Sequence, residues 1–199
     1  KFTELPTVSK STEPAIYYAY KDVNQAYVVL GHQSVTYTHP LRHASVIMNY
    51  ILGGGGFQSI LMKKIRVDEG LAYSVWSAFS APVPVVGRFM ASASTRLDQA
   101  GRTMTMMNEV IEEFHKSGPT QEQFDFAVKA YRNSYVWKYE SADQILSRLV
   151  YLKWRDLPLD SPQKDLIAFQ NLTIEDVRKA ATELLHPDKL ITVVVGDKD

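Results

Sequence analysis

Arg66 and Tyr73 stand seven residues apart on either side of a Glu69-Gly70 break. An arginine presents a planar fork of donors that suits a carboxylate or a peptide carbonyl. A tyrosine hydroxyl donates a hydrogen bond to an oxygen on which negative charge develops. By composition alone both residues read first as surface or packing side chains. Just upstream runs Gly53-Gly54-Gly55-Gly56. One glycine suffices to end a helix, and four in a row are entropically costly to order. The surplus therefore points to a loop that is mobile or closely approached. Carboxylates are paired at Asp68-Glu69 and Glu112-Glu113. The second pair falls on the polar side of an amphipathic helix and reads as solvated, and no isolated acid stands in an apolar setting that would raise its pKa.

Other chemistries are excluded or disfavoured by the residues present. The chain has no cysteine, which removes disulfides, thiolate metal sites and cysteine nucleophiles. A cysteine-free domain is stable in oxidising and reducing compartments alike. His39 and His43 have the i, i+4 spacing of two zinc ligands on a helix. Pro40, however, sets the helix start between them, and Arg42 stands where an inverted zinc motif, H-x-x-E-H, has its glutamate. No metal site is therefore expected in this chain. His115 and His186 sit near helix C-termini and suit an interaction with the helix dipole. The glycine run follows an apolar helix rather than a strand and lacks the P-loop lysine, so neither a phosphate loop nor a dinucleotide fold is indicated. No Gly-x-Ser-x-Gly is present. The 22 basic residues balance 22 acidic ones, which gives no long-range attraction to nucleic acid or to an anionic membrane. No apolar run approaches the ~20 residues that span a bilayer.

The elements that must position these residues follow from periodicity. Residues 1–14, with Pro6 and Pro14 among Ser, Thr and Lys, read as a linker or lead-in. Residues 15–199 read as one domain, beginning with strands at 15–20 and 26–31. The second of these is almost continuously apolar and is expected at the sheet centre, covered on both faces. A helix over 41–52 stops at Gly53. A short amphipathic segment carrying Leu61, Met62 and Ile65 precedes a strand from Leu71. Strict alternation places Tyr73, Val75, Ser77 and Phe79 on one face of that strand, and Ala72, Ser74, Trp76 and Ala78 on the other. Pro82-Val83-Pro84 turns it into a hairpin with 87–95. Then come a helix capped by Asp98 with a stripe from Ala100 to Phe114, and one opened by a Thr120/Gln123 capping box and reaching about Tyr139. Helices at 142–154 and 161–169 follow, then one capped by Thr173 and Asp176. A last apolar strand covers 190–195. The order implies an α+β fold, a mainly antiparallel sheet with helices packed on one face.

Three segments together carry a family resemblance: Asp22-Val-Asn-Gln-Ala-Tyr-Val-Val-Leu-Gly31, Tyr50-Ile-Leu-Gly-Gly-Gly-Gly-Phe-Gln-Ser59 and Leu61-Met-Lys-Lys-Ile-Arg-Val-Asp-Glu-Gly-Leu-Ala-Tyr-Ser-Val75. They resemble the M16 (pitrilysin/insulinase/mitochondrial processing peptidase) family, and more narrowly the C-terminal, non-zinc domain of its bacterial members. The resemblance covers nearly the whole chain. It implies a pair of similar domains that face each other across a closed chamber, with zinc held by H-x-x-E-H in the other one. That zinc-bearing partner domain would be on the same polypeptide or on a separate subunit, and the substrate would be a peptide. By resemblance, Tyr73 would reach the composite active site and stabilise the oxyanion, Arg66 would orient substrate backbone, and Gly53, Gly54, Gly55 and Gly56 would form a short substrate-facing loop. Close relatives often carry Arg where this chain has Ile60. M16-like domains also occur as structural core proteins, so the resemblance implies an inactive assembly domain as the alternative. The first residue is Lys1, which reads as a processed product or a piece of something longer.

Overall fold

The computed structural model describes residues 13–197. The lead-in expected at 1–14 therefore falls almost wholly outside the described residues. Five strands form one sheet: β1 (Ala15–Tyr20), β2 (Ala26–Gln33), β3 (Ala72–Phe79), β4 (Arg88–Thr95) and β5 (Ile191–Gly196). Their spatial order is β1-β5-β2-β4-β3. β1 runs parallel to β5 and every other pair is antiparallel. The mainly antiparallel sheet and the β3–β4 hairpin agree with the sequence reading. The chain's last strand inserts between its first two, so β1 and β2 are neighbours in sequence but not in space.

Among the described residues six α-helices accompany the sheet: α1 (Arg42–Asn49), α2 (Ala100–Ser117), α3 (Gln121–Tyr135), α4 (Ala142–Trp154), α5 (Ser161–Gln170) and α6 (Ile174–Leu184). α1 packs on β3, α2 packs on β2 and β4, and α6 packs on both helices. The shared core takes Ile47, Met48 and Leu52 from the α1 side, Met107, Ile111 and Phe114 from α2, and Val177 and Leu184 from α6. Each fully buried Leu, Ile or Phe contributes roughly 1.5–3 kcal/mol relative to exposure. The strands answer with Val28, Leu30, Phe89, Ala91, Ala93 and Val75. Two capping boxes form as their sequences indicate. Thr120 and Gln123 bond reciprocally at α3, and Thr173 and Asp176 do so at α6.

The structure corrects several expectations. β2 is central in the pairing but covered on one face only. Ala26, Val28 and Leu30 are buried while Tyr27 is 48% exposed, because all the helices gather on the other side. The helix over 41–52 does not stop at Gly53. After Asn49 it widens into a π-helical segment, Tyr50–Gly54, and a second π-helical segment covers Met62–Asp68. Asp98 does not cap α2; it lies in a 3-10 turn and pairs with Arg96. α3 ends at Tyr135 and passes into a 3-10 turn, Val136–Tyr139. His115 does lie in the last turn of α2, and its ring also reaches across to the Ala181 carbonyl at 3.1 Å. His186 donates its backbone N–H to His32 Nε2.

Candidate functional site

The start of β3 is held by a chain of local constraints. Gly70 adopts φ +63°, a left-handed conformation that glycine accepts without penalty, and this ends the π-helical segment. Leu71 is buried and its N–H donates to the Ile65 carbonyl at 2.9 Å. Its own carbonyl accepts from Thr95 Oγ1 at 2.5 Å, and Thr103 Oγ1 of α2 donates on to Thr95 at 3.1 Å. Glu69 is tied to Arg102 of α2 at 2.6 Å. The corner from Glu69 to Ala72 is thus fixed from both the helix layer and the neighbouring strand.

Immediately beyond it the register slips. Ala72 pairs with Thr95, but Ser74 pairs with the next residue, Ser94. Tyr73 is the extra residue of a β-bulge, a feature that re-aims a side chain. Strict alternation is broken: Ala72 joins Val75 and Ser77 among the buried residues, and Tyr73 lies with the exposed Ser74 and Trp76. The expected face for Tyr73 was therefore wrong. The sequence carries the signal, since the apolar step from Ala72 to Val75 is three residues rather than two. Tyr73 is 54% exposed, and its hydroxyl has no hydrogen-bond partner among the described residues.

Arg66 lies in the last turn of the preceding π-helical segment and is exposed. Its guanidinium lies over the Phe57 ring, 5.0 Å from the centroid, a distance at which a cation–π attraction operates. No carboxylate pairs with it among the described residues. Phe57 follows Gly56, so the structure brings Arg66 to the end of the glycine run. No hydrogen bond or cation–π contact joins Arg66 to Tyr73; the ring that Arg66 covers is Phe57.

The four glycines have separate reasons. Gly53 is buried against β3, and a Cβ there would sit 2.5 Å from the Ser77 amide nitrogen. Asn49 ties the same place from α1, accepting from Ser77 Oγ at 2.8 Å and donating to the Ser77 carbonyl at 3.2 Å. Cβ atoms at Gly54 and Gly55 would meet Asn49 Nδ2 at 2.8 Å and the Tyr50 carbonyl at 2.7 Å. Gly56 has φ +59° and open space around it. Of the run, Gly54 and Gly56 are exposed and Gly53 is not.

The histidines do not assemble as ligands. His39 Nδ1 accepts from the Leu41 N–H before α1 begins. His43 Nε2 lies 2.9 Å from Asp165 Oδ1. With the proton on Nε2 it donates to that carboxylate, and its 2.8 Å approach to Arg42 Nη2 is then a contact rather than a bond. Among the described residues no three His, Cys, Asp or Glu side chains form a group that could hold a metal.

Sequence reasoning missed Asp165. It is 7% exposed and also accepts from Arg42 at 2.8 Å. Burial pushes its pKa up, but the hydrogen bonds from His43 and Arg42 outweigh that and hold it below the ordinary carboxylate value. Its hydrogen-bond partners are more than 120 residues away in sequence, so no local pattern could reveal it.

The profile of the peptidase M16 inactive domain matches residues 1–131. The chain belongs to the peptidase M16 family. It is 31% identical over 199 residues to the Helicobacter pylori protein described as "Non-peptidase homolog YmxG", covering 96% of this chain and 44% of that one. It is 27% identical to an uncharacterized zinc protease of Streptomyces coelicolor, over 90% of this chain and 39% of that protein. The crystal structure of a peptidase M16 inactive domain from Pseudomonas fluorescens superposes with a TM-score of 0.90 at 28% identity, covering the whole of this chain and 46% of that one. The chain therefore spans less than half the length of these M16 relatives, and its fold is that of the M16 inactive domain.

Proposed function

We propose that this domain is the non-zinc, substrate-binding half of an M16-type zinc metalloendopeptidase. It closes a peptide chamber against a zinc-bearing partner domain, in the same polypeptide or in a separate subunit. The observation that carries this reading is the bulge at Tyr73. A fixed corner presents a tyrosine hydroxyl that no group among the described residues satisfies, and a nearby arginine has no carboxylate partner among them. The bulge and the pinned corner fix where these exposed groups point and leave both open to an acceptor from outside the domain.

In that composite site the partner's zinc would polarise the scissile carbonyl and activate water. Tyr73 would donate a hydrogen bond to the carbonyl oxygen as negative charge develops on it. Arg66 would bind substrate backbone carbonyls with its fork. The open face of the sheet, which exposes Tyr27 and Trp76, and the exposed Gly54 and Gly56 would border the peptide. Mixing this domain with a zinc-bearing M16 domain of the same source should yield peptide cleavage that neither part shows alone. Lack of any cleavage by a mixture shown to be assembled would count against the reading.

A second reading, an inactive M16-like assembly domain, is favoured by the description of the Helicobacter pylori relative as a non-peptidase homolog. The two readings separate on the partner. An intact H-x-x-E-H there supports the peptidase, and a degenerate motif supports the assembly role.

A further inference from the structure

At the far end of β3, about 20 Å along the strand from Tyr73 at ~3.3 Å per residue, a cavity of about 270 Å³ opens between α1, α3, α4 and α5. Three cations line it, Arg42, Lys138 and Arg148, against one carboxylate, Asp165. Asp165 is already engaged by Arg42 at 2.8 Å and His43 at 2.9 Å, and it stands 3.7 Å from Arg148. Arg148 Nε is buried and has no acceptor among the described residues. A buried donor without an acceptor costs about 1–3 kcal/mol, so an acceptor supplied from outside would be favoured here. Lys138 approaches Tyr131 Oη at 3.3 Å and lies over the Tyr131 ring at 4.7 Å. Burial, and then the charge of Arg148, pulls the Lys138 pKa down.

The rest of the wall is aromatic. Arg42 stacks on Tyr37 at 4.0 Å, and Tyr131 packs on Phe169 with ring centroids 4.4 Å apart. Burial, and then the Asp165 charge, pushes Tyr131 up to about 12, so its hydroxyl keeps its proton as a donor. The volume is near the lower end of small-molecule sites, which run from about 300 Å³, and holds a group of about one residue. A planar guanidinium with a free N–H, set among aromatic rings, matches a planar oxyanion on an apolar body.

We propose that this cavity binds a carboxylate carried on an apolar or aromatic body of one amino-acid residue in size, from the C-terminal end of a peptide or from a free acid. The proposal does not draw on the zinc partner or on Tyr73, and it stands or falls separately from the peptidase reading.

The test is a titration of the whole chain with N-acetyl-phenylalanine, its amide and inorganic phosphate, followed by calorimetry. Saturable binding of the acid is expected with a Kd of about 1 mM, a value set by ligand size. The amide should bind about tenfold or more weakly, having lost the charge-assisted bonds. Arg148→Met should weaken the acid by a similar factor, and Lys138→Met, at the cavity's wetter edge, should weaken it less. Should Arg148→Met not fold, the acid-to-amide ratio in the unaltered chain decides the matter. A peptide of about five residues ending in Phe distinguishes the sources: affinity equal to the single residue assigns a peptide end, and exclusion of the peptide assigns a free acid. Equal binding of acid and amide, tighter binding of phosphate, or no saturation by the acid would overturn the proposal.

Discussion

The two ends of β3 are built on opposite plans. At its start, Tyr73 and Arg66 are exposed and have neither hydrogen-bond acceptor nor counter-ion among the described residues, while the backbone beneath them is pinned by Gly70, Leu71, Thr95 and Thr103. At its end, beneath Phe79, the charged side chains turn inward and share one buried carboxylate, Asp165. The first end fixes the backbone and leaves the side chains free. The second fixes Arg42, His43 and Asp165 to one another and leaves Arg148 Nε without an acceptor among the described residues. A group whose hydrogen-bonding capacity is used within the fold contributes to stability; a group held in place with that capacity unused is available to another molecule. On this contrast, substitutions at the two ends should have opposite signatures.

The largest effect on stability is expected at Asp165. Asp165→Asn keeps the shape but strips Arg42, His43 and Arg148 of their common counter-ion. Removing one member of a buried charge network costs about 3–5 kcal/mol. Because Arg148 is partly solvated, a loss of roughly 3 kcal/mol is expected by urea unfolding. A change under about 0.5 kcal/mol would break the contrast, since it would make the network dispensable.

The acid limb of stability sharpens it further. His32 is buried, donates from Nδ1 to the Gln33 carbonyl at 2.8 Å and accepts at Nε2 from the His186 N–H. Burial lowers its pKa to about 4. The unfolded chain protonates near 6.5 and so binds the extra proton first. Stability should therefore fall as pH drops from about 6.5 to about 4, by up to roughly 3 kcal/mol. Asp165, lowered below the ordinary carboxylate value, adds a further loss below about pH 4. A His32→Gln variant whose pH–stability curve keeps the upper limb would refute the assignment to His32.

Within the glycine run the contrast predicts a gradient. Gly53→Ala drives a methyl into β3 at Ser77, and overpacking of this kind costs about 1–3 kcal/mol. Gly56→Ala meets open space and bears only the left-handed backbone penalty of about 1–2 kcal/mol. Thermal melts should rank Gly53→Ala as the more damaging, and the reverse ranking would mean that the run is not wedged against the sheet. Smallest of all, Arg66→Met should lose at most about 0.5–1 kcal/mol with its contact to Phe57, and Tyr73→Phe should shift stability by less than about 0.5 kcal/mol, because its hydroxyl makes no hydrogen bond among the described residues.

Much of this was legible from local pattern. The helical stripe ending at Phe114, the capping boxes at Thr120 and Thr173, and the β3–β4 hairpin all depend on residues a few positions apart, and they appear where periodicity puts them. The corner at Glu69-Gly70 was legible for the same reason. The bulge at Tyr73 was legible only in part: the three-residue step from Ala72 to Val75 is present, but strict alternation hides it. The π-helical widening through Gly53 was not legible, because a glycine that ends a helix and one that lets a helix press on a strand look alike until Ser77 is placed beside it. Asp165 was beyond reach, since its environment is assembled from α1, α4 and α5. The open face of β2 was missed because a continuously apolar strand reads as doubly covered, whereas here Tyr27 and Val29 lie on the face that the helices leave bare.

The most direct measurement is peptide turnover by the proposed assembly of this domain, carrying Tyr73→Phe, with a zinc-bearing M16 partner. If the unpaired hydroxyl serves the reaction, kcat should fall about 10²-fold, as when one oxyanion donor is removed, with KM changed far less and the melting temperature of the domain unaltered. Unchanged kcat in a folded, assembled Tyr73→Phe enzyme would contradict the account.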